Sequence, residues 1–232
     1  MNMLEAIDQR CSRRAYLDKL IGNKEKKLLD EKIAELNAES GLSIALVENC
    51  AEAFAGFRKS YGLLKGVNNC FALKGDKNIP KFKEKLGFYG EMLVLYAETL
   101  GLSTCWVGGS YDKSCLLCEL QPDEELNLVI VVGYAAERKS ARENAIYKIT
   151  HRKSKTAEEM CEYERGRGAD NPPDWFFKGM CAVAKAPSAN NKQPVKIYCK
   201  NGEITALDGN SDNSVDLGIA KAHFYLATGI SI

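Results

Sequence analysis

Residues 97–109 read Ala97-Glu98-Thr99-Leu100-Gly101-Leu102-Ser103-Thr104-Cys105-Trp106-Val107-Gly108-Gly109. The segment closes a long helical pattern that begins near Phe82. Gly101 stands where a left-handed residue ends a helix, since glycine takes positive φ without a Cβ penalty. Leu102 to Val107 then reads as a strand running into two glycines. A helix, a glycine stop and a strand in direct succession imply a helix packed on a sheet. The Gly-Gly end can lay bare backbone against a planar ligand, or can be a turn beside a core Trp106.

Working outward, Leu126-Asn127-Leu128-Val129-Ile130-Val131-Val132-Gly133-Tyr134 is the most apolar run in the chain. It reads as a strand buried on both faces in mid-sheet. Toward the amino end, residues 2–9 and about Lys24 to Glu39 carry helical spacing, the second with Leu28, Leu29, Ile33 and Leu36. Leu42–Val47 and Val67–Leu73 have the length of strands. Beyond the apolar run, residues 135–156 read as a polar connector. Helices are expected near 156–165, 174–185 and Ser214 to Thr228. Strands are expected at Val195–Cys199 and Glu203–Leu207, joined through the turn pair Asn201-Gly202. Leu86-Gly87 opens one helix and Leu217-Gly218 another, and each ends in a glycine followed by an apolar residue and Ser. This echo suggests an internal duplication.

The 232 residues balance 32 Lys and Arg against 31 Asp and Glu, and 45% are apolar. That apolar share offsets chain entropy and excludes disorder. The near-zero net charge argues against nucleic acid bound through a broad basic face. No apolar run approaches the roughly 20 residues of a membrane span. The acidic start lacks the apolar stretch of a signal peptide. Nine cysteines, odd in number and without framework spacing, then suit reduced thiols and a cytoplasmic location.

Two segments hold candidate binding chemistry. Arg10-Cys11-Ser12-Arg13-Arg14 places guanidinium groups and a hydroxyl within reach of one phosphate, or forms a solvated basic turn. Ala186-Pro187-Ser188-Ala189-Asn190-Asn191-Lys192-Gln193-Pro194 offers small residues and amides to a flat polar ring, or is an ordinary helix-to-strand loop. Cys115-Leu116-Leu117-Cys118 has no second cysteine pair and reads as a packed helix, so no metal is expected. His223, among Ala222, Phe224 and Leu226, reads as a packed or hydrogen-bonded core histidine, and Cys105 as a buried, inert thiol.

In this order the segments resemble the nitroreductase family of flavin enzymes. The carrying residues are the Arg10–Arg14 run, which departs from the family pattern at Cys11, Gly90-Glu91, Ala97–Gly109, Val132-Gly133-Tyr134 and Ala186–Pro194. The resemblance implies an α+β nitroreductase-like fold, with a central mixed sheet flanked by helices. Family members usually carry the Ala-Pro-Ser motif early. Its late position here resembles the subgroup in which two half-domains are fused into a pseudo-dimer: 1–150, then a shorter 151–232. The resemblance implies one FMN site, with Arg10, Ser12 and Arg14 on the phosphate and Pro187, Ser188, Ala189 and Asn191 bordering the ring. Val107, Gly108 and Gly109 would lie near its reactive edge. Arg152 and Lys153 would close the phosphate site, and Asn69 would reach the ring. A second site would be degenerate. The implied activity is hydride transfer from NADH or NADPH through FMN to a small-molecule acceptor such as a nitroaromatic or quinone, with no catalytic acid–base side chain. A non-catalytic flavin-binding or sensing protein is the alternative. The implied assembly is a monomeric pseudo-dimer or a loose homodimer, without nucleic acid or membrane.

Overall fold

The computed structural model describes residues 1–55, 64–150, 154–164, 172–200, 202–209, 211 and 213–232. The chain runs through α1 (Met3–Gln9), α2 (Asn23–Ser40), β1 (Ala45–Val47), the short α3 (Ala51–Phe54), β2 (Asn69–Asp76), α4 (Phe82–Thr99), β3 (Ser103–Val107) and β4 (Glu124–Gly133). It continues with α5 (Ala141–Thr150), β5 (Cys161–Tyr163), α6 (Asp174–Ala184), β6 (Val195–Lys200), β7 (Glu203–Asp208) and α7 (Val215–Thr228).

The first sheet has the order β1-β2-β4-β3, with every neighbour antiparallel. The apolar run forms β4 in its interior. Leu128, Ile130 and Val132 face one core with Phe71, Leu73, Leu86 and Leu93, against α2 and α4. Val129 and Val131 face another with Cys70, Ala72, Val107, Phe54 and Tyr111. Successive residues on opposite faces, all apolar, are what a doubly covered strand requires. The second sheet is β5-β6-β7, with β5 parallel and β7 antiparallel to β6. Ile197 packs there with Phe176, Met180, Val183 and Phe224 beneath α6 and α7.

Two glycines bring the sheet-bearing parts together where α4 crosses α7. A Cβ added at Gly218 would lie 2.6 Å from the Phe88 amide nitrogen, and closer still to the Glu84 carbonyl oxygen. A Cβ at Gly87 would lie 2.9 Å from the Val215 carbonyl carbon, with its oxygen closer. The contacts are reciprocal: each glycine meets backbone three residues before the other. Both helices end in left-handed glycines, α4 just before Leu102 at Gly101 (φ 76°) and α7 at Gly229 (φ 74°).

Several expectations need correction. The connector at 135–156 contains α5, which Ser140 and Glu143 start with a capping box: the Glu143 N–H donates to Ser140 Oγ, and the Ser140 N–H to Glu143 Oε2. The helix expected near 156–165 is a single 3₁₀ turn, Glu158–Met160, followed by β5. Pairing with β6, remote in sequence, makes Cys161–Tyr163 a strand. The Cys115–Cys118 segment is not a packed helix. A 3₁₀ turn ends at Cys115, and Leu117 is 86% exposed. Among the described residues, no helix is long and apolar enough to cross a membrane.

Candidate functional site

The Arg10–Arg14 run leaves the end of α1 and is stitched to the first sheet. The Arg13 N–H donates to the Thr104 carbonyl of β3, Tyr16 N–H to Lys65 and Leu17 N–H to Tyr134. Arg13 is buried, and its side chain donates to Glu143 (3.2 Å), to the Ala136 carbonyl (2.7 Å) and to that of Arg138. The Glu143 carboxylate also receives the backbone N–H groups of Arg14 and Ala15. Burial works to raise the Glu143 pKa. The N–H donors of Arg14 and Ser140, with the Arg13 guanidinium, outweigh it and bring the pKa down to about 2. Arg13 and Glu143 thus form a structural pin, and Arg10, Ser12 and Arg14 are the members of the run whose side chains it does not tie down.

Arg10 is the most informative of these. Its side chain is 8% exposed and lies 3.8 Å (Nε) from Oε1 of the wholly buried Glu91. Among the described residues, its Nε and Nη1 are buried without a hydrogen-bond partner. Buried guanidinium donors left unpaired are costly, so the arrangement suits a group that supplies acceptor oxygens. The Arg14 and Arg10 guanidinium groups and the Ser12 hydroxyl all act on the Cys105 thiol. Burial pushes that thiol up, against the pull of Arg14, Arg10 and Ser12. The three residues therefore converge on β3, and they fit a bound phosphate.

Glu91 links this patch to the other motif. Trp106 Nε1 donates to Glu91 Oε2 (2.9 Å), and His223 Nε2 lies 3.0 Å from Oε1. His223 Nδ1 lies 2.9 Å from the Ala182 carbonyl of α6. Four residues later that helix passes into the Ala186–Pro194 loop. Asp8 of α1 and Lys185 at the end of α6 form an ion pair, and Ala6, Ile7 and Ala182 share a small core. The two motif segments thus leave neighbouring helix ends. The bonded and buried His223 matches its expected reading; Glu91 belongs to the Gly90-Glu91 pair singled out in the sequence, but its link to His223 carries no local sequence signal.

In the Ala186–Pro194 loop, Asn190, Asn191 and Gln193 hold positive φ of 53°, 54° and 45°. The Gln193 N–H donates to Ser188 Oγ, and its buried side chain takes the Lys155 N–H and donates to the Ala184 carbonyl. The Ala189 N–H donates to Asp216 at the start of α7. Asn191 Nδ2 donates to Ser154 Oγ. Pro187 and Ser188 are half-buried, and Ala189 is exposed. Val107 is buried against the second face of the sheet, while Gly108 and Gly109 are exposed, with open space among the described residues where a Cβ would stand. Asn69 is buried and pairs with Val132, the residue that also faces Thr104. It therefore sits at the Arg13 end of the sheet, three ladder positions from Val107. Arg152 and Lys153 lie outside the described residues.

Similar folds are known among solved structures. One, from Thermotoga maritima, is described as a "putative nitroreductase"; it is 25% identical with a TM-score of 0.61, over 98% of this chain and 83% of that one. An FMN-dependent nitroreductase from Clostridium difficile is 18% identical, TM-score 0.46, over 62% of this chain and 94% of that one. No curated protein matches. The family model described as "Putative TM nitroreductase" spans residues 2–228, from α1 to the end of α7, and the chain belongs to that nitroreductase family.

Proposed function

We propose that the chain is an FMN-dependent oxidoreductase, with the FMN phosphate held by Arg10, Ser12 and Arg14. The observation that carries this reading is the buried Arg10 guanidinium with two unpartnered nitrogens. Arg10 and Arg14 supply fixed positive charge and directional donors to a phosphate. Gly108 and Gly109 leave the end of β3 open for a flat ring, and Pro187, Ser188, Ala189 and Asn191 wall it from α6 and α7. Asn69 belongs with the phosphate end of this arrangement. Arg152 and Lys153 would close the phosphate site. When bound, the flavin accepts a hydride from NADH or NADPH and passes the electrons to a small acceptor such as a nitroaromatic or quinone. The protein's part is to hold the ring, exclude water and stabilise the negative charge that reduction places on it.

The reciprocal glycine crossing supports reading 1–150 and 151–232 as fused halves, a dimer's site within one chain. Purified protein should show flavin absorbance, or gain it with FMN, and should oxidise NADH or NADPH when a quinone or nitro compound is present. Protein that stays colourless after incubation with FMN refutes the assignment. Flavin binding without turnover leaves the sensing alternative.

A further inference from the structure

Resting on the reading of Arg10 as a phosphate ligand, we propose that His223 is a positioning residue that leaves the positive charge of Arg10 uncompensated for its anion by cancelling the charge of Glu91. The argument is one of proton placement. A carbonyl oxygen only accepts, so the 2.9 Å contact with Ala182 requires a hydrogen on His223 Nδ1. The 3.0 Å contact between Nε2 and Glu91 Oε1 then needs a proton between them, since a bare nitrogen and a bare carboxylate oxygen repel. That proton sits on His223, giving imidazolium and carboxylate, or on Glu91, giving two neutral groups. The pair sums to zero in both cases. Trp106 uses the other Glu91 oxygen.

Among the described residues Glu91 is the carboxylate within 4 Å of Arg10, and on this count it leaves the Arg10 charge uncompensated. Arg13 is already balanced by Glu143. Glu98 faces Arg10 and Arg13 from α4, and burial raises its pKa against their pull. Even with Glu98 ionised, Arg10 and Arg14 leave a surplus of one positive charge. The separation of Arg10 from Glu91, 3.8 Å with no hydrogen bond, agrees with a carboxylate engaged elsewhere. His223 belongs to α7 and Arg10 to the end of α1, so residues late in the chain set the charge of an anion site near its start.

The test has two arms. In the first, FMN and riboflavin affinities are compared, because riboflavin lacks the phosphate. His223→Gln frees Glu91 to act as the counter-ion of Arg10, and should weaken FMN about tenfold with little change for riboflavin. Glu91→Gln added to that variant removes the carboxylate and should restore FMN binding to within about threefold of wild type. A purely structural role predicts a double variant weaker than the single one, which overturns the proposal, as does an unchanged FMN-to-riboflavin ratio in His223→Gln. The second arm needs no flavin and no variant of the network. In protein labelled with ¹⁵N-histidine, where His151 is the chain's other histidine, the His223 Nδ1 signal should be that of a protonated nitrogen. A bare Nδ1 overturns the proposal. Wild-type protein with no preference for FMN over riboflavin would strike the phosphate assignment itself, leaving the proton placement to the spectrum.

Discussion

Replacing Gly218 by Ala tests the helix crossing on which the whole arrangement rests. A new Cβ would lie 2.6 Å from the Phe88 nitrogen and 2.9 Å from the Glu84 carbonyl carbon, inside the 3.0 Å that real Cβ atoms respect. The obstacle is helix backbone, so no rotamer change relieves it, and α4 and α7 must part by about 1 Å. A gap of that size forfeits a quarter to a half of the dispersion energy along the seam. Overpacking costs about 1–3 kcal/mol, toward the upper end against backbone. The better helix propensity of Ala returns about 1 kcal/mol. The net expectation is a loss of about 2 kcal/mol, which lowers the urea midpoint by about 0.7 M at a slope near 3 kcal/mol/M. Gly209→Ala, with open space around its Cβ, is the control and should stay within about 0.5 kcal/mol of wild type. Because the first substitution already spreads the helices, Gly87→Ala added to Gly218→Ala should cost less than the two single losses combined. A Gly218→Ala protein as stable as wild type would refute the close crossing.

Glu143→Gln breaks a buried pair with Arg13 and should cost about 3 kcal/mol in chemical denaturation. With its folded pKa depressed to about 2, Glu143 stabilises the native state fully above the ordinary carboxylate range. That contribution is lost as pH falls from about 4.5 toward 2, so the gap between wild type and Glu143→Gln should narrow in acid. Replacing Arg10 and Arg14 together by Ala should weaken FMN by at least about tenfold in a fluorescence titration while sparing riboflavin. Gln193→Leu strips the Lys155 N–H and the Ala184 carbonyl of their partner and should lower stability by about 1–3 kcal/mol. In timed alkylation followed by mass spectrometry, Cys105 should react more slowly than Cys11, since burial raises its thiol pKa and shields it.

Local patterns carried most of the fold. β4 could be read because its apolar run is continuous, and α4 because its spacing ends at Gly101. The repeated Leu-Gly at 86–87 and 217–218 marked the helices that cross, although no sequence rule says that each glycine would meet the other helix's backbone. α5 does not stand out in the sequence although Ser140-Ala141-Arg142-Glu143 is a capping-box signature, because the residues after it are too polar to show a face. β5 could not be foreseen, since Cys161–Tyr163 becomes a strand only through a parallel partner more than thirty residues away. In the site, Arg10 and the Pro187–Asn191 loop were visible as residue types at suitable spacing. The Glu91–His223 link, 132 positions long, exists only through packing. Arg13 and Arg14 look alike in sequence, and only Glu143 separates the structural arginine from the free one.

The loop at Asn190, Asn191 and Gln193 is bent through conformations that side-chain-bearing residues rarely occupy, each worth about 1–3 kcal/mol of strain. Gln193, anchored to Lys155 and Ala184, holds that shape as part of the folded state. On the proposed function, a flavin ring would therefore meet a wall already set in its final form. Little ordering remains to be done on arrival, and affinity is governed by fit instead of by the freezing of a limp segment.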